Sequence, residues 1–120
     1  MIYFIGAGPG AADLITVKGK ELLEKADLII YAGSMVNPEL LNYAKPECII
    51  MDSAKMTLEE VIAAMVPAAQ AGKLVVRLHT GDPCVYGAIR EQMDRLDKLG
   101  IEYDVCPGVS SFCGAAAALK

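Results

Sequence analysis

Several residue types are scarce in this sequence, and each scarcity excludes a class of protein. The 120 residues include one histidine, so a metal site with several histidine ligands cannot be built within the chain. No apolar run approaches the roughly 18 residues that a membrane span needs. Eleven Lys and Arg against fifteen Asp and Glu give a net charge of −4, without the basic excess of a nonspecific nucleic-acid binder. We therefore expect no metal, no membrane partner and no nucleic-acid partner.

The cysteines and the N-terminus carry no special signal. Cys48, Cys84, Cys106 and Cys113 form neither a Cys-x-x-Cys pair nor a zinc-type spacing, and their neighbours are mostly apolar. We expect buried, reduced thiols. Residues 1–5 carry no basic segment of a signal peptide and run directly into glycines, so a cytoplasmic location is expected.

What is present is a hydrophobic chain, 54% apolar, in which apolar runs of strand length alternate with segments of helical period. This pattern predicts one three-layer α/β domain with a five-stranded, mainly parallel sheet. The predicted strands are Ile2–Ile5, Leu28–Tyr31, Cys48–Met51, Leu74–Leu78 and Glu102–Cys106.

Helix signals lie between the predicted strands. A helix from about Thr16 to Ala26 is expected to direct Val17, Leu22 and Leu23 towards the core. A short helix should begin after Asn37 with Pro38 at its first position, and Thr57-x-x-Glu60 is a capping box. Two more helices are expected, at about Ala88–Leu99 and after Ser110-Ser111.

Three predicted strands end in loops rich in glycine and proline. These loops are Gly6-Ala7-Gly8-Pro9-Gly10, Thr80-Gly81-Asp82-Pro83 and Pro107-Gly108-Val109-Ser110-Ser111. Ligands of open parallel sheets bind beyond the carboxyl ends of the strands, so a site is expected where these loops meet.

The first loop also fits a weak dinucleotide-binding pattern, which would make the protein a nicotinamide-dependent enzyme. Three features argue against this alternative. Pro9 removes an amide donor, and the following helix is predicted to start near Thr16 and not at the loop. The second strand is followed by Ala32-Gly33, where an acidic residue would be needed for the ribose.

Taken together, the three loops resemble those of the tetrapyrrole methylase family. The resembling features are the Gly-x-Gly-Pro-Gly loop with Asp13-Leu14 and Thr16 behind it, Arg77-Leu-x-x-Gly-Asp-Pro83, and the Pro107–Ser111 loop. The resemblance covers all 120 residues. It implies that residues 1–120 are an N-terminal domain, since family members are about twice as long and have a second α/β domain that is absent here. It also implies homodimers at full length.

Two further stretches resemble one branch of the family, which methylates precorrin-4 or cobalt-precorrin-4 at C11 in cobalamin biosynthesis. They are residues 31–41 and residues 78–92. The branch that methylates uroporphyrinogen III in porphyrin biosynthesis resembles this chain less well, because Asp is expected there at the Ala32 position. A non-catalytic ligand-binding or assembly domain is the alternative from another class.

The resemblance implies S-adenosylmethionine as methyl donor, bound with the tetrapyrrole in a cleft between two domains. The donor contacts that it implies in this chain are Pro9, Gly81, Asp82, Val85, Tyr86, Ser110 and Ser111. Alternatives remain for three of them: Asp82 suits an Asx-turn, and the two serines suit helix capping. No catalytic residue is named, since methyl transfer depends mainly on alignment.

The possible substrate contacts are Tyr31, Met35, Arg77 and His79. Arg77 or His79 could bind the acetate and propionate groups of a tetrapyrrole. The alternative for these two is a structural hydrogen bond at the strand edge, and for Tyr31 and Met35 it is a place in the core.

Overall fold

The computed structural model describes residues 1–84 and 89–120, with Ser34 described by its backbone alone. Five strands form one sheet in the order β3-β2-β4-β1-β5, and every neighbouring pair is parallel. The strands are β1 (Ile2–Gly6), β2 (Leu28–Tyr31), β3 (Ile49–Asp52), β4 (Val75–His79) and β5 (Tyr103–Cys106). The helices are α1 (Val17–Lys25), α2 (Leu58–Gln70), α3 (Arg90–Lys98) and α4 (Ser111–Leu119). Short 3-10 helices cover Ala12–Leu14, Gly33–Met35 and Pro38–Tyr43.

The sheet separates two hydrophobic clusters, as expected for a parallel sheet with helices on both faces. Phe4, Ile30 and Val75 face one cluster, which α2 and α3 cover with Met65 and Leu96. A second cluster contains Ile5, Ile29, Val76 and Leu78, covered by Leu23 of α1 and Leu40 of the Pro38–Tyr43 helix. The predicted three-layer α/β class is confirmed, and the sheet is wholly parallel.

Side-chain caps fix the starts of several helices. Thr16 accepts a hydrogen bond from Gly19 N, and Asn37 accepts one from Glu39 N. Thr57 and Glu60 form a complete capping box at the start of α2. Each of these positions was recognisable in the sequence, because capping needs a short polar side chain in a non-helical position.

Element boundaries differ from the sequence predictions by one or two residues. Strands β1 and β4 each extend to a polar or glycine residue at the carboxyl end, Gly6 and His79. Strand β3 starts at Ile49 and not at Cys48, and β5 starts at Tyr103 and not at Glu102. Helix α3 spans Arg90–Lys98, shorter than predicted, and Ala88 lies outside the described residues.

Two burial predictions were wrong. Val17 is 74% exposed, because it lies six positions before the buried Leu23, roughly 120° around the helix from it. The expectation of buried thiols fails for Cys84 and Cys113, which are exposed, while Cys48 is half-buried and Cys106 buried. Cys84 lies in a loop, and α4, which carries Cys113, has no buried residue. All four thiols are free.

Polar contacts within the domain join neighbouring segments at the amino end of the sheet. The carboxylate of Asp27 accepts hydrogen bonds from Lys45 Nζ at 2.7 Å and from Leu74 N at 2.9 Å. The hydrogen bond from Lys45 is the main reason that the pKa of Asp27 is lowered. These contacts tie the residues before β2 and β4 together at the amino end of the sheet.

Candidate active site at the carboxyl end of the sheet

The three glycine-rich loops meet at the carboxyl end of the sheet. Gly8 and Gly81 exchange a pair of backbone hydrogen bonds, with N···O distances of 3.2 Å and 2.8 Å, so the first and second loops are joined directly. A Cβ atom on Gly6 would lie 2.4 Å from Gly81 O, and one on Gly108 would lie 2.3 Å from the same oxygen. The three loops are therefore in backbone contact at a point where no side chain fits.

A cavity of about 370 Å³ opens beside this junction. It is lined by Ala32, Met35, Thr80 and Ser111, which follow the ends of β2, β4 and β5. A more open depression of about 540 Å³ lies at the opposite end, next to Met1 and residues 100–103. We take the smaller cavity as the candidate site, because ligands of parallel sheets bind beyond the carboxyl ends of the strands.

Asp82, a predicted donor contact, lies in the second loop and is half-buried. Its Oδ1 accepts a hydrogen bond from Cys84 N at 2.9 Å, which is the Asx-turn considered above as the alternative role. Within residues 1–84 and 89–120, the other carboxylate oxygen has no hydrogen-bond partner. The side chain can therefore hold its own turn and still accept a bond from a ligand.

Gly81, Pro9 and the two serines surround the same junction. Gly81 is buried with a φ of 62°, the left-handed region that favours glycine. The ring of Pro9 lies against Gly114 of α4, where an added Cβ would be 2.6 Å from Pro9 Cβ. Ser110 caps α4 by accepting a hydrogen bond from Phe112 N at 3.3 Å, whereas Ser111 lines the cavity. The structure thus brings these five predicted donor contacts to one place.

Val85 and Tyr86, the other two predicted donor contacts, lie outside the described residues. Thr80 lines the cavity without having been among the predicted contacts. The signal that could have identified Thr80 is its position between the end of β4 and Gly81, directly at the carboxyl end of a central strand.

Arg77 does not line the cavity. It is 6% exposed, and its side chain lies between the sheet and α3. Its guanidinium donates to Gln92 Oε1 at 3.1 Å and to Ile30 O at 3.2 Å. Burial lowers the pKa of Arg77 to about 10, so the group is still a cation at neutral pH. In this arrangement Arg77 connects β4 to β2 and α3.

His79 lies on the same face of β4, two residues further on, and is also 6% exposed. Its ring stacks on Phe4 with centroids 6.4 Å apart. Burial, together with the charge of Arg77, lowers the pKa of His79 to about 4, so the imidazole is neutral at neutral pH. Among the described residues its Nε2 atom has no hydrogen-bond partner.

Tyr31 and Met35, the other two predicted substrate contacts, lie in different surroundings. Met35 is 74% exposed and lines the cavity. Tyr31 is half-buried and packs against the cluster on the α1 side of the sheet, while its carbonyl oxygen accepts hydrogen bonds from Ser53 N and Ser53 Oγ. Of Tyr31, Met35, Arg77 and His79, only Met35 reaches the cavity in this structure; substrate contact by the other three stays a prediction.

Neither a metal-binding group nor a membrane-spanning helix is found among the described residues. In the part of the chain that the structure describes, no three His, Cys, Asp or Glu side chains come close enough to hold a metal ion. The helices described here include none that is long and apolar enough to cross a membrane.

Comparisons with known proteins place this domain in a family. The sequence model of the tetrapyrrole (corrin/porphyrin) methylases matches residues 1–120. A cobalt-precorrin-4 C(11)-methyltransferase of Methanocaldococcus jannaschii is 57% identical over 99% of this chain and 46% of its own length. The chain therefore spans about half the length of the curated relatives that it matches.

Solved structures agree in fold as well as in sequence. The X-ray structure of a cobalt-precorrin-4 methyltransferase, described as a cobalamin biosynthetic enzyme, superposes with a TM-score of 0.94 at 50% identity, over 98% of this chain and 49% of that one. The uroporphyrin-III C-methyltransferase of Thermus thermophilus in complex with S-adenosylhomocysteine gives a TM-score of 0.81 at 32% identity, over 96% of this chain and 47% of that one. With the family match over its whole length and these likenesses in sequence and fold, the chain belongs to the tetrapyrrole methylases.

Proposed function

We propose that this domain forms one wall of the active site of an S-adenosylmethionine-dependent C-methyltransferase that acts on precorrin-4 or cobalt-precorrin-4 at C11, in cobalamin biosynthesis. The observation that carries the proposal is the 57% identity, over 99% of the chain, with a relative named for that reaction. The donor is proposed because a relative of the same fold is described in complex with S-adenosylhomocysteine, the product that S-adenosylmethionine leaves after methyl transfer.

The donor side of the site is proposed to lie at the glycine junction. A sulfonium donor offers an ammonium group and ribose hydroxyls as hydrogen-bond donors, and the second oxygen of Asp82 can accept from either. The backbone around Gly8 and Gly81 permits close approach of a ligand. Ser111 lines the cavity, and Pro9 lies beside Gly8 and packs against Gly114 of α4. Ser110 completes the proposed set together with Val85 and Tyr86, which lie outside the described residues.

The tetrapyrrole side is proposed to lie over the Gly33–Met35 turn and the cavity. Met35 exposes a large apolar side chain there, and Ala32 contributes only a small side chain to the cavity wall. Arg77 and His79 stay proposed substrate contacts, but their burial means that a substrate carboxylate could reach them only after a local opening. The more direct contribution of Arg77 is to hold Ile30, two residues before Ala32, through its hydrogen bond to Ile30 O.

The proposed reaction needs alignment more than acid or base catalysis. A nucleophilic carbon of the macrocycle forms the new C–C bond as the S–CH₃ bond breaks, and the electron pair of that bond stays on sulfur. Placing the two reactants in line and excluding water can supply several kcal/mol of the rate enhancement. Rigid backbone contacts such as the pair between Gly8 and Gly81 suit that task.

The second wall is proposed to come from a further α/β domain, which the family resemblance implies and for which the relatives, about twice this length, have room. Helix α4 supports this, because it buries none of its residues and exposes Phe112 and Leu119. A single wall gives only part of the burial that a ligand of this size needs. The 120-residue chain is therefore expected to fold and to bind the donor weakly, with turnover reduced far below that of a two-domain enzyme.

The test is methyl transfer from S-adenosylmethionine by the full natural polypeptide that carries these residues. We expect precorrin-4 or its cobalt complex to gain one methyl group by mass spectrometry, with uroporphyrinogen III a poor acceptor. Comparable turnover of uroporphyrinogen III would assign the protein to the other branch. Absence of methyl transfer to all three acceptors, with no donor binding by calorimetry, would refute the proposal.

A further inference from the structure

The Gly6–Gly10 loop is held from three sides. The hydrogen-bond pair between Gly8 and Gly81 joins it to the second loop, and the ring of Pro9 rests on Gly114 of α4. On the third side, Asn37 Nδ2 donates a hydrogen bond to Gly10 O at 2.8 Å. Among the described residues this is the only hydrogen bond from a side chain to the loop, and a single substitution can remove it.

The same amide has a second task. Its Oδ1 accepts a hydrogen bond from Glu39 N at 2.9 Å and so caps the 3-10 helix Pro38–Tyr43. The two bonds fix the orientation of the amide, because exchanging oxygen and nitrogen would set donor against donor and acceptor against acceptor. Asn37 thus uses its acceptor within its own segment and its donor to reach a loop 27 residues away.

The segment that carries Asn37 is itself anchored and borders the cavity. Val36 and Leu40, on either side of Asn37, are buried at 3% and 0% exposure in the cluster on the α1 side. Met35, two residues before Asn37, lines the cavity. A bond from Asn37 therefore links the loop on the donor side to a firmly packed element on the macrocycle side.

We propose that Asn37 is a positioning residue, which sets the Gly8–Gly10 part of the loop relative to the segment that borders the cavity. This inference rests on the proposed function and names a residue that acts on it without touching the reacting atoms. Small changes in the distance between two bound reactants change rates strongly. A loop released on one side should consequently bind the donor less well and align it less well.

The experiment separates the two tasks of Asn37 in the full natural polypeptide. Asn37→Asp keeps an oxygen for Glu39 N but puts an oxygen against Gly10 O, and Asn37→Ser keeps the cap alone. Thr57→Ala is the matched control, because it removes a cap of the same kind at the start of α2, away from the three loops. We expect Asn37→Asp to raise the KM for S-adenosylmethionine about 3- to 10-fold and to lower kcat, with a melting temperature close to that of the wild type.

Thr57→Ala is expected to lower the melting temperature and leave both kinetic constants unchanged. Wild-type KM and kcat in Asn37→Asp and Asn37→Ser would overturn the inference while leaving the proposed function intact. If the wild type transfers no methyl group, the proposed function fails and hydrogen exchange decides the inference. The amides of Gly8 and Gly10 should then exchange faster in Asn37→Asp than in Thr57→Ala, and equal exchange would overturn it.

Discussion

The two ends of the sheet differ in how completely their polar groups are paired. At the amino end, the carboxylate of Asp27 has two partners, Lys45 and Leu74 N. At the carboxyl end, His79 Nε2 and one oxygen of Asp82 have none among the described residues. The unpaired nitrogen of His79 is buried and therefore costs stability. The second oxygen of Asp82 belongs to a half-buried side chain and remains able to accept a hydrogen bond from a ligand.

Glycine is used differently at the two ends as well. Gly72 and Gly100 end helices with φ values of 80° and 69°, and an added Cβ would meet nothing within 4 Å at either position. Gly6 and Gly108, in contrast, are packed so closely that an added Cβ would collide with backbone. Gly72 and Gly100 at the amino end are thus needed for their backbone conformation, whereas Gly6 and Gly108 at the carboxyl end are needed for space.

The largest effect is expected from filling that space. Gly6→Ala would put a methyl group 2.4 Å from Gly81 O and 2.6 Å from Gly108 Cα, and backbone atoms on both sides cannot move away without separating the loops. We expect a loss of about 3 kcal/mol or more in the free energy of unfolding, measured by urea denaturation.

Gly72→Ala is the matched control at the amino end. Only the left-handed backbone opposes it, at a cost of about 1 to 2 kcal/mol. Equal losses of unfolding free energy in Gly6→Ala and Gly72→Ala would mean that the loop junction is not more closely packed than the surroundings of Gly72. The contrast between the two ends would then be wrong.

The next effect concerns the unpaired imidazole. The folded-state pKa of His79 is about 4, below its usual value of 6.5, so between these values the unfolded chain binds a proton that the folded chain does not. Stability should therefore fall as the pH drops from about 6.5 to about 4, by about 1.4 kcal/mol per pH unit and up to roughly 3 kcal/mol in all.

His79→Gln tests this directly, because glutamine does not titrate. Urea unfolding at about pH 7 and about pH 5 should give a smaller pH-dependent loss in the variant than in the wild type. The same loss in both proteins would show that the folded domain accepts the proton at His79, and that this end of the sheet is less enclosed than the structure indicates.

The smallest effect is expected at Asp82. A control variant can separate the proposed contact of Asp82 with the ligand from its part in the Asx-turn. Asp82→Ala should weaken S-adenosylmethionine binding roughly 10- to 100-fold in the full natural polypeptide, through loss of a charge-assisted hydrogen bond. Asp52→Ala is the control, since Asp52 Oδ1 accepts from Ala54 N at 2.8 Å in an equivalent turn after β3. Both variants should lose about 1 kcal/mol of stability, and only the first should lose donor affinity by calorimetry. An unchanged affinity in Asp82→Ala would remove this residue from the site.

The sequence was sufficient for the fold class, for the order of the strands and helices and for the end of the sheet at which the three glycine-rich loops meet. These depend on local patterns: apolar runs, the caps at Asn37 and Thr57, and glycine-rich loops after β1, β4 and β5. Since parallel strands end at one edge, the loops had to meet there. The Asx-turn of Asp82 and the cap at Ser110, both considered from sequence, are present.

Details that depend on packing between distant segments were not predictable in the same way. The burial of Arg77 follows from Gln92 and Ile30 O lying within its reach, 15 and 47 residues away along the chain. The bond between Asn37 and Gly10 likewise joins segments that no local pattern connects. Val17 was assigned to the core because its residue type is apolar, yet its place on the helix turns it outwards.

The claim that the donor binds at the carboxyl end of the sheet can be tested on this 120-residue domain by nuclear magnetic resonance. Titration of the ¹⁵N-labelled chain with S-adenosylhomocysteine suits the weak affinity expected of a single wall. We predict chemical-shift changes in the amides of Gly8 and Gly10, of residues 80–82 and Cys84, and of residues 109–112, with Gly72 and Gly100 unaffected. Changes centred on residues 72 and 100–103, with the three loops unperturbed, would contradict it.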